Sequence, residues 1–177
     1  MKLISSIKFV KSNLDINSNR EELIGLYYKY FILLNGYDRM DAFLKVTNTT
    51  IDNFIDKDIY KFATNYKKAV DFVNNLSNKY DYLFVRQSNK LVGLLRFKET
   101  KSYIRIYEFT CDDKLYNKVL KYLDKYCKEK NYKKIYLEIP INDIKLLIRS
   151  NKMGYIEDNN DLHDEKKYVV NKEILWF

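Results

Sequence analysis

The feature that most constrains this chain is a change of hydrophobic period in its second half. From Tyr103 to Thr110 the side chains alternate, with Ile104, Ile106 and Glu108 on one side and Arg105, Tyr107 and Phe109 on the other, as in a strand between unlike surroundings. From Lys114 to Lys130 the apolar positions become Leu115, Val119, Leu120, Leu123 and Cys127, which share one face of a long helix. Ile135 to Ile139 returns to strand character, and Pro140 ends its pairing. Strand, amphipathic helix and strand in succession require a sheet with a helix packed on it. The expected class is therefore α/β (α+β), a mixed central sheet flanked by helices, and a helical bundle is excluded.

The remaining segments fill in that scheme. Residues 2 to 10 read as a first strand, and Ser18 with Glu21 forms an S-x-x-E capping box that opens a helix. Leu23, Leu26, Tyr27, Tyr30, Phe31 and Leu34 make its apolar stripe, and Gly36 stops it. Asp38 to Asp58 is irregular and polar. A second helix is expected from Ile59 to Leu76, with Ile59, Phe62, Tyr66, Val70 and Val73 on one face. Tyr82 to Val85 and Leu91 to Phe97 form a hairpin across Gln87 to Lys90. Asn142 to Asn151 reads as a short helix and Tyr168 to Trp176 as a closing strand. At 177 residues, without linker or repeat, a single domain spanning 1–177 is expected.

Several function classes fall away. No run of 18 apolar residues occurs, and the opening MKLISSIKFVKSN is too short and too lysine-rich for a signal peptide, so a cytoplasmic protein without membrane association is expected. Cys111 and Cys127 stand without a companion pair, which leaves no disulfide framework and no metal site. His163 is the sole histidine, so a hydrolytic triad is improbable. The formal charge of +8 attracts phosphate-bearing partners, including nucleic acid. Lys114, Lys118, Lys121, Lys125 and Lys128 form one stripe on the long helix, read first as its solvated face. The tyrosines Tyr27, Tyr30, Tyr66 and Tyr122 fit core or boundary positions better than base-stacking ones.

Three segments carry a resemblance to the GNAT N-acetyltransferase superfamily. They are KLVGLLRF (Lys90 to Phe97), KEKNYKKIYLEIP (Lys128 to Pro140) and NKMGYIED (Asn151 to Asp158), the last similar to the family's E-K-x-G-F turn. The resemblance implies transfer of an acyl group from acetyl-CoA or another acyl-CoA to an amine on a small molecule or a protein. It also implies Glu108 as general base, and Ser150 or Tyr155 near the place of the family's tyrosine acid. Phe109, Thr110 and Cys111 would run along the pantetheine arm. Lys114, Leu115, Tyr116 and Asn117 would meet the phosphates. The family's R/Q-x-x-G-x-G/A loop brings backbone N–H groups to the pyrophosphate, yet here it reads Cys111, Asp112, Asp113, Lys114, Leu115 and Tyr116. Side chains replace both glycines, and two carboxylates face the phosphates. This degenerate motif raises an alternative, a catalytically inactive GNAT-like binding module that recognises a protein or nucleic acid. For Glu108 the simpler reading is a structural carboxylate paired with Arg105 or Lys114.

Overall fold

The computed structural model describes residues 7–12, 16–34, 66–76, 79–158 and 167–175. The chain divides into two compact units, Asp15–Ser77 and the combination of Met1–Leu14 with Asn78–Phe177.

In the first unit, α1 spans Ile16–Leu34 and a second helix, α2, covers 66–74. Arg20 Nη2 donates to Asn74 Oδ1 at 3.0 Å, and the rings of Tyr27 and Phe72 lie 4.7 Å apart. Leu23, Leu26 and Tyr27 are buried as expected, together with Ile24. Two expectations need correction. Ser18 does not cap the helix, because α1 is already helical at Ile16 and Ser18 lies inside its first turn. The buried face of α2 is Ala69 and Val73, continued by Leu76, while Tyr66 is exposed and Val70 only half-buried. A small alanine drew the helix inward where hydrophobicity alone favoured the tyrosine. Gly36, Asp38 to Asp58, Ile59, Phe62, His163, Trp176 and the side chains of Phe31 and Leu34 lie outside the described residues.

The second unit is built on a seven-stranded sheet of order β1-β2-β3-β4-β5-β7-β6. Its strands are β1 (Ile7–Ser12), β2 (Asp81–Gln87), β3 (Lys90–Glu99), β4 (Tyr103–Cys111), β5 (Lys134–Pro140), β6 (Ile156–Glu157) and β7 (Lys167–Glu173). β4 and β5 are parallel and every other neighbouring pair is antiparallel. The parallel pair needs a crossover, which is supplied by a short 3₁₀ turn, Asp113–Leu115, leading into the helix α3, Tyr116–Glu129. The helix α4, Ile144–Lys152, follows β5. The β2–β3 hairpin turns on Ser88 and Asn89, whose φ of 50° and 65° suit a two-residue turn that matches strand twist. The edge strand β6 escaped the sequence reading because two residues carry no periodicity.

Leu115, Val119, Leu120, Leu123 and Cys127 are all buried, in one core with Phe97, Ile104, Ile106 and Leu137. The far half of α3 is tied down as well. Phe9 stacks on Tyr122 at 3.9 Å, Lys11 Nζ donates to Glu99 Oε2 at 2.6 Å, and the Tyr126 hydroxyl donates to the other oxygen of Glu99.

One irregularity reorients β4. Phe97 lies opposite Ile106 but Arg96 lies opposite Glu108, so Tyr107 is the extra residue of a β-bulge. Strict alternation placed Glu108 with the isoleucines. The inserted residue instead sends Phe109 and Cys111 into the core below α3 and turns Glu108 to the opposite face.

Candidate active site

β4 and β5 pair only from Tyr103 and Lys134 to Ile106 and Leu137. Beyond that point β4 runs on to Cys111 and β5 to Pro140 with no further pairing between them, although β3 stays paired with β4 as far as Gly93 and Cys111. The two parallel strands therefore open like a wedge. Past Ile106 and Leu137 the β4–β5 ladder does not continue, and a strand edge that has left its ladder takes up an extended ligand readily. Gly93 keeps β3 close at this place, since a Cβ there would lie 2.5 Å from the Cβ of Cys111.

Glu108 stands at the wedge. Its Oε1 accepts from the Thr110 hydroxyl at 2.9 Å, and its Oε2 lies 3.5 Å from Arg96 Nε. Arg96 is thus its cationic neighbour where Arg105 or Lys114 was expected, because the bulge sets Glu108 across from Arg96. Arg105 turns to Glu138 instead, its Nε donating to Oε1 at 2.9 Å, and Lys167 donates to Oε2 at 3.1 Å.

The loop that follows is closed by its own hydrogen bonds, main-chain and side-chain. The amide of Lys114 donates to Asp112 Oδ1 at 3.1 Å, that of Leu115 to the Asp112 carbonyl at 2.9 Å, and that of Tyr116 to the Asp113 carbonyl. Lys145 Nζ lies 2.8 Å from Asp113 Oδ2, and the Tyr116 hydroxyl donates to Asp143 Oδ2 at 2.8 Å. Asp143 also accepts from the Leu146 amide and so caps α4. The hydrogen bond from Lys145 holds Asp113 below the usual aspartate range, whereas burial pushes Asp143 above it despite its two donors. The start of α3 is thereby pinned to the start of α4. Asp143 was not singled out from the sequence, although an aspartate immediately before an apolar helical run is a capping signal.

The other expected site residues are scattered by comparison. Phe109, Thr110 and Cys111 are buried at the end of β4, Lys114 and Asn117 are exposed, and Leu115 and Tyr116 are buried. Ser150 is wholly buried, and its hydroxyl donates to the Leu147 carbonyl at 2.9 Å. Tyr155 lies in the core on the α3 side of the sheet, so the sheet separates it from Glu108. Burial, reinforced by the charge of Asp124, pushes its hydroxyl well above the usual range. Gly154 precedes it at φ 87°, the left-handed position that a glycine fills without strain. Both cysteines are free thiols held protonated by burial, Cys127 at about 12. The five lysines of the α3 stripe are all exposed. Among the described residues no cluster could hold a metal ion, and no helix is long and apolar enough to cross a membrane.

No protein-family model and no curated protein matches the sequence. Solved structures do match the fold. PaiA N-acetyltransferase from Thermoplasma acidophilum, in complex with coenzyme A, aligns with a TM-score of 0.56 at 15% identity, over 95% of this chain and 99% of its own. A probable acetyltransferase from Staphylococcus epidermidis aligns with a TM-score of 0.54 at 12% identity, over 96% and 100%. This is the GNAT fold. The N-acetyltransferase PseH of Campylobacter jejuni, also solved with acetyl coenzyme A, aligns with a TM-score of 0.53 at 14% identity, over 94% and 97% for its structure without the coenzyme.

Proposed function

We propose that this GNAT-fold protein is an acyltransferase that uses an acyl-CoA and an amine acceptor, with the whole of 1–177 acting as one domain. The observation that carries the reading is the wedge, the parting of β4 from β5 beyond Ile106 and Leu137, with Glu108 on its β4 side. Backbone groups from Phe109 to Cys111 fit an extended pantetheine arm. The phosphates fit less well, because the amides of Lys114, Leu115 and Tyr116 already have acceptors. The exposed ammonium groups of Lys114, Lys118 and Lys121 would hold them in place of the amides. A bound acyl-CoA supplies the acyl carbon: the amine nitrogen forms a C–N bond as the C–S bond breaks, and the sulfur leaves as the thiol. Glu108 takes the proton from the acceptor's ammonium, and Thr110 and Arg96 orient its carboxylate. Ser150 and Tyr155 act in packing, and the second proton, shed by the newly acylated nitrogen, reaches the leaving sulfur through water.

Amine-dependent thiol release from acetyl-CoA tests this directly. Glu108→Gln should lower it by about a hundredfold or more, with acetyl-CoA affinity within a few-fold. Retained activity in that variant would reduce Glu108 to a structural carboxylate. The sealed loop favours a second reading, a coenzyme-free binding module. Absence of both thiol release and calorimetric binding of acetyl-CoA would establish that alternative in its place.

A further inference from the structure

The face of the sheet that bears Glu108 carries an unusual surface. Arg96 lies 4.8 Å and Lys98 4.7 Å from the ring centre of Tyr80, which meets Tyr107 edge-on at 5.2 Å. Arg105 lies between Tyr107 and Tyr136, at 5.6 and 5.9 Å, and Lys134 lies 5.2 Å from Tyr136. Rings hold cations in place over their π-faces. On β3, β4, β5 and β7 this face carries the cations Arg96, Lys98, Arg105, Lys134 and Lys167 beside the carboxylates Glu108, Glu138 and Glu173, and Asp158 joins them by accepting from Asn171 Nδ2 at 2.9 Å. Among the described residues Lys98 and Lys134 have rings and no carboxylate as partners. Lys98, Arg105 and Lys134 stand on three neighbouring strands, about 10 Å across at the usual strand spacing and within two residues of one level, whereas Lys167 lies about 20 Å along the β5–β7 ladder from Lys134. One carboxylate reaches a single cation pair, whereas a phosphate presents several acceptor oxygens to donors on adjacent strands.

We propose that this face selects the acceptor, and that the acceptor is an amine carried on a phosphate-bearing small molecule, its phosphate held by the ring-mounted cations and its nitrogen at Glu108. The proposal rests on the acyltransfer reading for the reaction but not for the binding. The kinetic test compares phosphoethanolamine, ethanolamine and spermidine with acetyl-CoA. Phosphoethanolamine should show a kcat/KM about tenfold or more above ethanolamine, with spermidine slowest. The double variant Lys98→Ala/Lys134→Ala should erase that preference by raising KM for phosphoethanolamine about tenfold while leaving kcat and the ethanolamine rate within about twofold. Equal rates for the phosphorylated and plain amine, or a preference for spermidine, would overturn the proposal. Thermal shift with sodium tripolyphosphate gives the binding readout apart from catalysis: stabilisation of the wild type that the double variant loses supports the anion site even if no amine is acylated. No stabilisation of the wild type overturns it even if acyl transfer occurs.

Discussion

The two sides of the corner where β4 passes into α3 differ in kind. On the strand side β4 leaves its ladder with β5 beyond Ile106, and on the helix side the amides of Lys114, Leu115 and Tyr116 are all bonded within the protein. The parting of β4 and β5 is a matter of backbone pairing, beside the close approach of β3 that Gly93 allows. In the closure the Asp112 side chain holds the Lys114 amide, carbonyls of the 3₁₀ turn hold those of Leu115 and Tyr116, and the side chains of Asp113, Tyr116 and Asp143 tie the turn to α4. Fold geometry and ligand chemistry are therefore written by different residues. A chain can keep the first while changing the second.

Substitutions on α3 and on each side of the corner sharpen this contrast. The largest loss should follow Leu123→Ala, which empties a buried site beneath the helix both sides depend on, at roughly 2–5 kcal/mol in denaturant unfolding. A loss below about half a kcal/mol would mean the site refills with little strain. On the strand side, Gly93→Ala should cost roughly 1–3 kcal/mol through its clash with Cys111, and Cys111→Gly in the same chain should recover part of it. On the helix side, Tyr116→Phe should cost about 1–2 kcal/mol by removing a donor from the buried Asp143 carboxylate. Lys125→Ala, on the exposed stripe, should change stability by no more than about half a kcal/mol, since it pairs with the surface carboxylate of Glu129 at 3.7 Å, one helical turn away.

Acidity separates the junction from the far half of α3. Burial raises Asp143, so its contribution to stability is complete below the ordinary aspartate pKa and is lost as pH rises through the higher folded value. Glu99 behaves oppositely: burial alone would raise it, but hydrogen bonds from Lys11 and Tyr126 hold it low. Its contribution is complete above the ordinary glutamate pKa and is lost as pH falls through the folded value. Unfolding midpoints against pH should lose the first slope in Asp143→Asn and the second in Glu99→Gln. Unchanged slopes would assign the pH dependence to other groups.

The legibility of these features in sequence follows from their range. The long helix, its buried face, the hairpin and the succession of the longer elements along the chain rest on local periodicity, and Leu115, Val119, Leu120, Leu123 and Cys127 were readable from spacing alone. Glu108 was found but aimed at the wrong face, because a single inserted residue reverses every later side chain in a strand. The pinning of Asp113 by Lys145 and of Tyr116 by Asp143 links positions 32 and 27 residues apart. No window of sequence contains such pairs. Their effect on the loop was visible only as missing glycines and added carboxylates.

The most direct test of the corner as two unlike halves is an NMR titration of ¹⁵N-labelled protein with acetyl-CoA. The amides of Tyr107 to Cys111 should shift strongly as the arm enters the wedge, and those of Lys114, Leu115 and Tyr116 should stay in place because their bonds to Asp112 and Asp113 are kept. Largest shifts at Lys114 to Tyr116, or no shift at any amide, would contradict the account.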